Sequence, residues 1–239
     1  MAIHRETIEY TSGNTKMRGH LAYDEARGDK LPGILVCHEW WGVNDYIRGR
    51  AEQLAELGYV ALAIDMFGEG KSTSSPEEAG KLMTALMSNP DAMARVNAAL
   101  TELQTHPRVD GRRVAAVGYC MGGAMCLNMA RAGLPLKAVV SFHGSLAAQV
   151  LAKPNSVQAK ILVCHGADDP MVTWDQVEAF KKEMTAAAVD FQIHIYGGVQ
   201  HAFTNPNADH TGVKGLKYDP RADRRSWQAM QLFFAEVFS

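Results

Sequence analysis

The sequence predicts an α/β fold, a mostly parallel sheet with helices on both faces, entered through an antiparallel hairpin. Three observations carry this. Short apolar runs recur at residues 33–37, 59–64, 114–117, 136–142, 160–164 and 191–196. Stretches of helical spacing separate most of them. Only residues 5–10 and 16–23 alternate polar with apolar, about a Ser12-Gly13-Asn14 turn, as a half-exposed hairpin does.

Taken in order, the hairpin leads to the buried strand 33–37 and the loop His38-Glu39-Trp40-Trp41-Gly42. Asn44 or Asp45 caps a helix over about 45–57, where Ile47, Ala51, Leu54 and Leu57 form one apolar face and Gly58 ends it. Strand 59–64 runs into a glycine- and serine-rich loop to Ser75. Pro76 opens a helix to about Met87, and Pro90 opens another to about Gln104. Strand 114–117 is followed at once by a helix of small and apolar residues, then by strand 136–142. Strand 160–164 precedes a helix from after Thr173 to about Ala187. Strand 191–196 and a helix over about 221–237 close the chain.

With 239 residues, 47% of them hydrophobic, the chain can bury a sizeable core and reads as one domain over 1–239. The net charge is −2 and the 24 Lys and Arg are spread along the chain, so no nucleic-acid or membrane partner is expected. The first residues are polar, and no apolar run could span a bilayer. Cys37, Cys120, Cys126 and Cys164 lack metal-site spacing. A cytoplasmic protein with reduced thiols, monomeric or a small homo-oligomer, is the expectation.

The chemistry gathers around Gly118-Tyr119-Cys120-Met121-Gly122. This is the nucleophile-elbow pattern G-x-S-x-G with cysteine for serine. A nucleophile on a sharp strand-to-helix turn leaves no room for side chains two residues to either side, and Gly118 and Gly122 remove them. Gly123 lets the helix approach the sheet. The helix N-terminus favours a thiolate and offers donors to an anion. A glycine-rich turn with a merely buried cysteine is the competing reading.

A thiol needs a base, and the base an orienting acid. His165-Gly166-Ala167-Asp168-Asp169-Pro170 follows one late strand and Gly197-Gly198-Val199-Gln200-His201 follows the next. That is the order nucleophile, acid, base of an α/β-hydrolase fold. Asp169 is preferred as the acid because of its G-x-x-D-P setting, with Asp168 as a solvated turn-former in competition. His201 sits among glycines, where it has no packing task, while His165 and His143 read as structural histidines. In this fold the oxyanion donors come from the loop after strand 33–37 and from the residue after the nucleophile, here the Trp40 and Met121 N–H groups. HEWWG lacks the second histidine of a zinc helix. Glu39 would gain from a partner at the thiol, or else it points to solvent.

The motifs CHEWWG, GYCMGG, HGADDP and GGVQHAF, in this order from about Ile34 to the end, resemble the dienelactone hydrolase family. The resemblance implies a carboxymethylenebutenolidase-like hydrolase with a Cys120-His201-Asp169 triad that cleaves a small-molecule ester or lactone through a thioester, without metal or organic cofactor. It implies that Glu39 swings from Cys120 when substrate binds. It also calls for two arginines on the substrate carboxylate. One position holds Asn205, and residues 66–94 contain no arginine, only Lys71 and Lys81. A less charged or larger substrate follows, lined by Trp41, Phe67, Tyr119, Phe203 and Asn205. A thiol-based redox sensor, with Cys37 resolving Cys120, is the alternative on the same scaffold.

Overall fold

The structure, a computed structural model, describes residues 2–28, 30–148 and 150–239. Eight strands and six α-helices follow one another among these residues. They are β1 (Ile3–Ser12), β2 (Thr15–Asp24), β3 (Leu31–Cys37), α1 (Asp45–Glu56), β4 (Val60–Ile64), α2 (Pro76–Met87) and α3 (Ala92–Thr105). Then come β5 (Val109–Tyr119), α4 (Met121–Arg131), β6 (Ala138–Phe142), β7 (Lys160–Gly166), α5 (Trp174–Ala186), β8 (Phe191–Tyr196) and α6 (Pro220–Val237). The chain divides into two compact units, one ending at Ala116 and the other beginning at Val117, and β5 runs through the division.

In the first unit the strand order is β1-β2-β4-β3-β5. β1 and β2 pair antiparallel with Ser12 opposite Thr15, and Gly13 takes the turn at φ 55°. β2 meets β4 antiparallel, whereas β3 and β4 run parallel with Cys37 opposite Ile64. All five residues of β4 are buried, as a strand covered on both faces requires. Asn44 Oδ1 accepts from Ile47 N (3.1 Å) and starts α1, which buries Ile47, Ala51 and Leu54.

The loop after β4 is wound around one carboxylate. Asp65 accepts from Gly68 N (2.7 Å), Gly70 N (2.8 Å) and Arg18 N (3.0 Å). Arg95, on α3, donates to the Met66 and Phe67 carbonyls at 3.0 and 2.6 Å. An arginine just beyond the stretch surveyed in the sequence therefore fastens this loop.

In the second unit the end of β5 is followed by β6, β7 and β8. Phe142 lies opposite Cys164 and Gly166 opposite Tyr196 in parallel ladders, so β7 and β8 finish level and β6 stops two residues short of them. The far end of α4 is tied to α5 by a two-pronged ion pair. Arg131 Nε and Nη2 reach Glu183 Oε1 and Oε2 at 2.9 and 2.8 Å. Arg131 also donates to Leu146 O and Asn128 Oδ1, so its buried charge is well met.

Some boundaries differ from the sequence reading. α3 starts at Ala92, not Pro90, because Asn89 Oδ1 accepts from Asp91 N (2.9 Å) and Asn89 O from Ala92 N, closing a turn around the proline. β5 begins five residues before Val114. Its polar Asp110-Gly111-Arg112-Arg113 stays extended because Asp110 binds the Arg112 N–H and both guanidinium groups. β7 continues through His165 and Gly166, so His165 lies within a strand and does not open a loop. A short 3-10 turn, Ala208–His210, had no sequence signal. Among the described residues no helix is long and apolar enough to cross a membrane.

Candidate active site

Cys120 alone makes the turn between β5 and α4. Its backbone is left-handed, φ 53° and ψ −117°, which costs a residue bearing a Cβ about 1–3 kcal/mol and persists only when the surroundings impose it. They do so here. A Cβ on Gly118 would collide with the Gly122 carbonyl, and one on Gly123 would stand 2.6 Å from Ser141 Oγ. The Cys120 N–H donates to Phe142 O (3.0 Å) and to His143 Nδ1 (3.1 Å). All four cysteines are free, and Cys120 alone of them is partly exposed. Met121 opens α4, so its N–H has no acceptor within the helix.

The loops after β7 and β8 are joined to each other. Asp168 N donates to Val199 O, and Ala167 N to Tyr196 O, both at 2.9 Å. A side chain at Gly166 would strike the Val199 carbonyl, so glycine is required there. This brings Asp169 and His201 together: His201 Nδ1 donates to Asp169 Oδ2 at 2.7 Å, with both side chains buried. Asp169 Oδ1 accepts from Met171 N (2.8 Å) and Val172 N (3.1 Å), which aims the carboxylate at the imidazole. Asp168 faces solvent and does not share this contact. His201 O also accepts from Lys217 N (3.0 Å), fixing the histidine from its other side.

Burial opposes charge on His201, but the charge of the Cys120 sulfur and the Asp169 carboxylate outweigh it, so the imidazole pKa is pushed up to about 10. Nε2, the atom left once Nδ1 is bound, is buried without a partner at full hydrogen-bond geometry. Cys120 thus acts on the ring mainly through charge. Cys120, His201 and Asp169 thus lie within one unit, with the imidazole bound to the carboxylate.

His143 has a larger part than its sequence suggested. Its Nδ1 accepts the Cys120 N–H, so its proton is on Nε2, 2.7 Å from Thr204 Oγ1. The ring is neutral in that state and meets the His201 ring edge-on at 5.2 Å. His165, at the end of β7, is depressed by burial, with Asp169 working the other way, and packs edge-on against Trp174.

In the first unit, Glu39 is buried, 2% exposed, and does not point to solvent. His38, fully buried, clamps the loop that carries it. Nδ1 donates to Glu39 O (2.5 Å) and Nε2 accepts from Met66 N (3.2 Å). The carbonyl and N–H of a trans peptide point opposite ways. Holding the Glu39 carbonyl therefore sets the direction of the Trp40 N–H. Sequence reasoning passed over His38, although its place directly before Glu39 was visible. Thr73 N donates to Trp41 O (3.0 Å), tying this loop to the one after β4.

Of the residues expected to line a pocket, Tyr119 and Phe203 have no exposed surface. Tyr119 stacks on Phe142 at 5.0 Å, and Phe203 packs on His143 and Tyr196. Both are core rings here, because a strand end and a tight loop bury them, and they offer a substrate no surface. Asn205 is buried and its Oδ1 caps Asn207 N (2.9 Å). Trp41 and Phe67 are each 6% exposed, with Phe67 against the His38 ring. Lys71 and Lys81 are exposed, and Lys81 pairs with Glu77 at 2.6 Å. Among the described residues no group of three or more His, Cys, Asp or Glu could hold a metal ion.

A cysteine in a strained turn after β5, an aspartate after β7 and a histidine after β8, on a mostly parallel sheet, follow the order of the α/β-hydrolase class. Within it, the profile of the dienelactone hydrolase family matches residues 17–238, and the chain belongs to that family of ester and lactone hydrolases. A solved structure named m3DLH is 41% identical over the whole of both chains, with a TM-score of 0.95. The structure of a dienelactone hydrolase-like promiscuous phosphotriesterase from metagenomic libraries is 39% identical over 99% of each chain, with the same TM-score. Protein usf of Aquifex pyrophilus is 29% identical over 98% of this chain and 99% of its own.

Proposed function

We propose that this hydrolase cleaves a carboxylic ester or lactone through a thioester on Cys120, with His201 and Asp169 completing the triad. The observation that carries this is the buried 2.7 Å contact of His201 with Asp169, on an imidazole whose proton is favoured by the Cys120 sulfur. The family match over both units supports treating them as one hydrolase domain.

Sulfur attacks the carbonyl carbon, and the oxyanion forms against the Met121 and Trp40 N–H groups, each contributing about 3 kcal/mol to the transition state. Collapse breaks the C–O bond, and the His201 imidazolium gives its proton to the leaving oxygen. The neutral imidazole then takes a proton from water, whose oxygen attacks the thioester and releases the acid, restoring the thiolate–imidazolium pair. Asp169 orients the ring throughout. Glu39 takes part in activating the thiol, as the family resemblance implies. These steps need no metal or organic cofactor.

The substrate is a small molecule, and neither of the positions from which the family clamps a substrate carboxylate holds an arginine here. Position 205 is asparagine, and Arg95 is spent on two backbone carbonyls. Esters of neutral acids should therefore turn over better than esters carrying a free carboxylate. The metagenomic relative makes a phosphotriester a further test substrate.

Cys120→Ala should lower hydrolysis of a p-nitrophenyl ester by more than about 10³-fold. Retained turnover would refute the assignment. The competing reading, a peroxide sensor, is tested on the same protein: a Cys37–Cys120 disulfide after mild peroxide, with no esterase activity, would favour it.

A further inference from the structure

We infer that α6 forms a two-fold, antiparallel contact with α6 of a second copy of this chain, about an axis passing between Met230 and Gln231. The inference is independent of the catalytic reading.

β8 ends the strand order and, among the described residues, pairs only with β7. Its other edge has unpaired N–H and C=O groups, a liability that proteins cover or blunt. Beside that edge a groove runs between β8 and α6, with Arg225, Ala229, Leu232 and Glu236 along its helical wall. Leu232, in the middle of this wall, is 75% exposed, the most exposed large hydrophobic residue among the described ones.

The spacing of these residues selects the partner. Arg225, Ala229, Leu232 and Glu236 follow one another at steps of four, three and four, so they share one stripe of the helix. In an isologous antiparallel pair, residues whose numbers have the same sum lie opposite each other. About the axis between Met230 and Gln231, Arg225 faces Glu236 and Leu232 faces Ala229, each twice. Opposite charges meet at both ends, and at the centre a large side chain meets a small one. A surface that is complementary to itself in both charge and size fits a second copy of this chain. Glu236 Oε1 also accepts from Lys160 Nζ (3.0 Å), which leaves Oε2 for the arginine across the axis. Among the described residues Arg225 makes no ion pair within its own chain.

The test uses the full chain in analytical ultracentrifugation. Wild type should sediment at twice 26.1 kDa at micromolar concentration. Leu232→Asp should sediment as a monomer. Arg225→Glu and Glu236→Arg should each weaken dimerisation by about tenfold or more, as breaking a facing charge pair does. The double variant Arg225→Glu/Glu236→Arg should return to within about threefold of wild type, because the reversed pair is again complementary. Circular dichroism and ester hydrolysis, which these surface changes leave intact, report on folding. A monomeric wild type, a dimer indifferent to all three single changes, or single losses that the double variant does not repair would each overturn the inference.

Discussion

Two buried histidines stand in loops at strand ends and differ in their partners. His38, after β3, has a backbone carbonyl on one nitrogen and a backbone N–H on the other, and burial pushes its pKa down to about 4. His201, after β8, has the Asp169 carboxylate on one nitrogen and is acted on by the Cys120 sulfur, and its pKa is pushed up to about 10. Both are nearly inaccessible, at 0% and 3% exposed. Burial alone makes a neutral imidazole suited to holding a loop. A carboxylate on one nitrogen, with a sulfur acting on the ring as well, makes one that favours its proton.

The comparison breaks most severely if the carboxylate is removed. Asp169→Asn keeps the shape but loses the charge and frees the tautomer, and should lower kcat by about 10³–10⁴-fold. In the same variant His201 should titrate well below its wild-type value, moving toward the behaviour of His38. Steady-state kinetics and histidine NMR on one sample check both.

pH sharpens the contrast. A histidine raised in the folded state stabilises the protein fully below about 6.5, and that contribution is lost as pH rises through about 10. A histidine depressed in the folded state contributes above about 6.5, and its contribution is lost as pH falls through about 4. His201 should therefore weigh on the alkaline limb of denaturant stability and His38 on the acid limb. Denaturant midpoints for wild type, Asp169→Asn and His38→Gln across pH 4–10 would show which limb each change flattens.

The smallest effect belongs to His38 itself. His38→Gln can still donate to the Glu39 carbonyl but holds it less rigidly, so the Trp40 N–H is less well aimed. A fall in kcat of about tenfold with little change in KM is expected, as for partial loss of one oxyanion donor. A change confined to KM would mean that the loop binds substrate and does not serve the transition state.

Much of this was legible in the sequence, for identifiable reasons. Gly118, two residues before Cys120, and Gly166 mark places where backbone meets backbone, and only glycine survives there. Pro76 and Asn44 set helix starts through local chemistry. The order of cysteine, acid and histidine after successive strands required them to finish at one end of the sheet. The rest depended on contacts between residues distant in sequence. Nothing near Arg95 announces that it binds carbonyls at Met66 and Phe67, and nothing near His143 that its ring accepts the Cys120 N–H. Tyr119 and Phe203 carry the composition of a pocket, yet packing against Phe142 and His143 makes them core.

The central claim is that the sulfur at Cys120 carries the acyl group, and it can be weighed directly. Wild-type protein mixed with a p-nitrophenyl ester and acid-quenched within milliseconds should gain the mass of the acyl group on the peptide bearing Cys120, in a thioester that hydroxylamine removes. Catalytic turnover with that peptide unmodified at every quench time, and with Cys120→Ala as active as wild type, would contradict it.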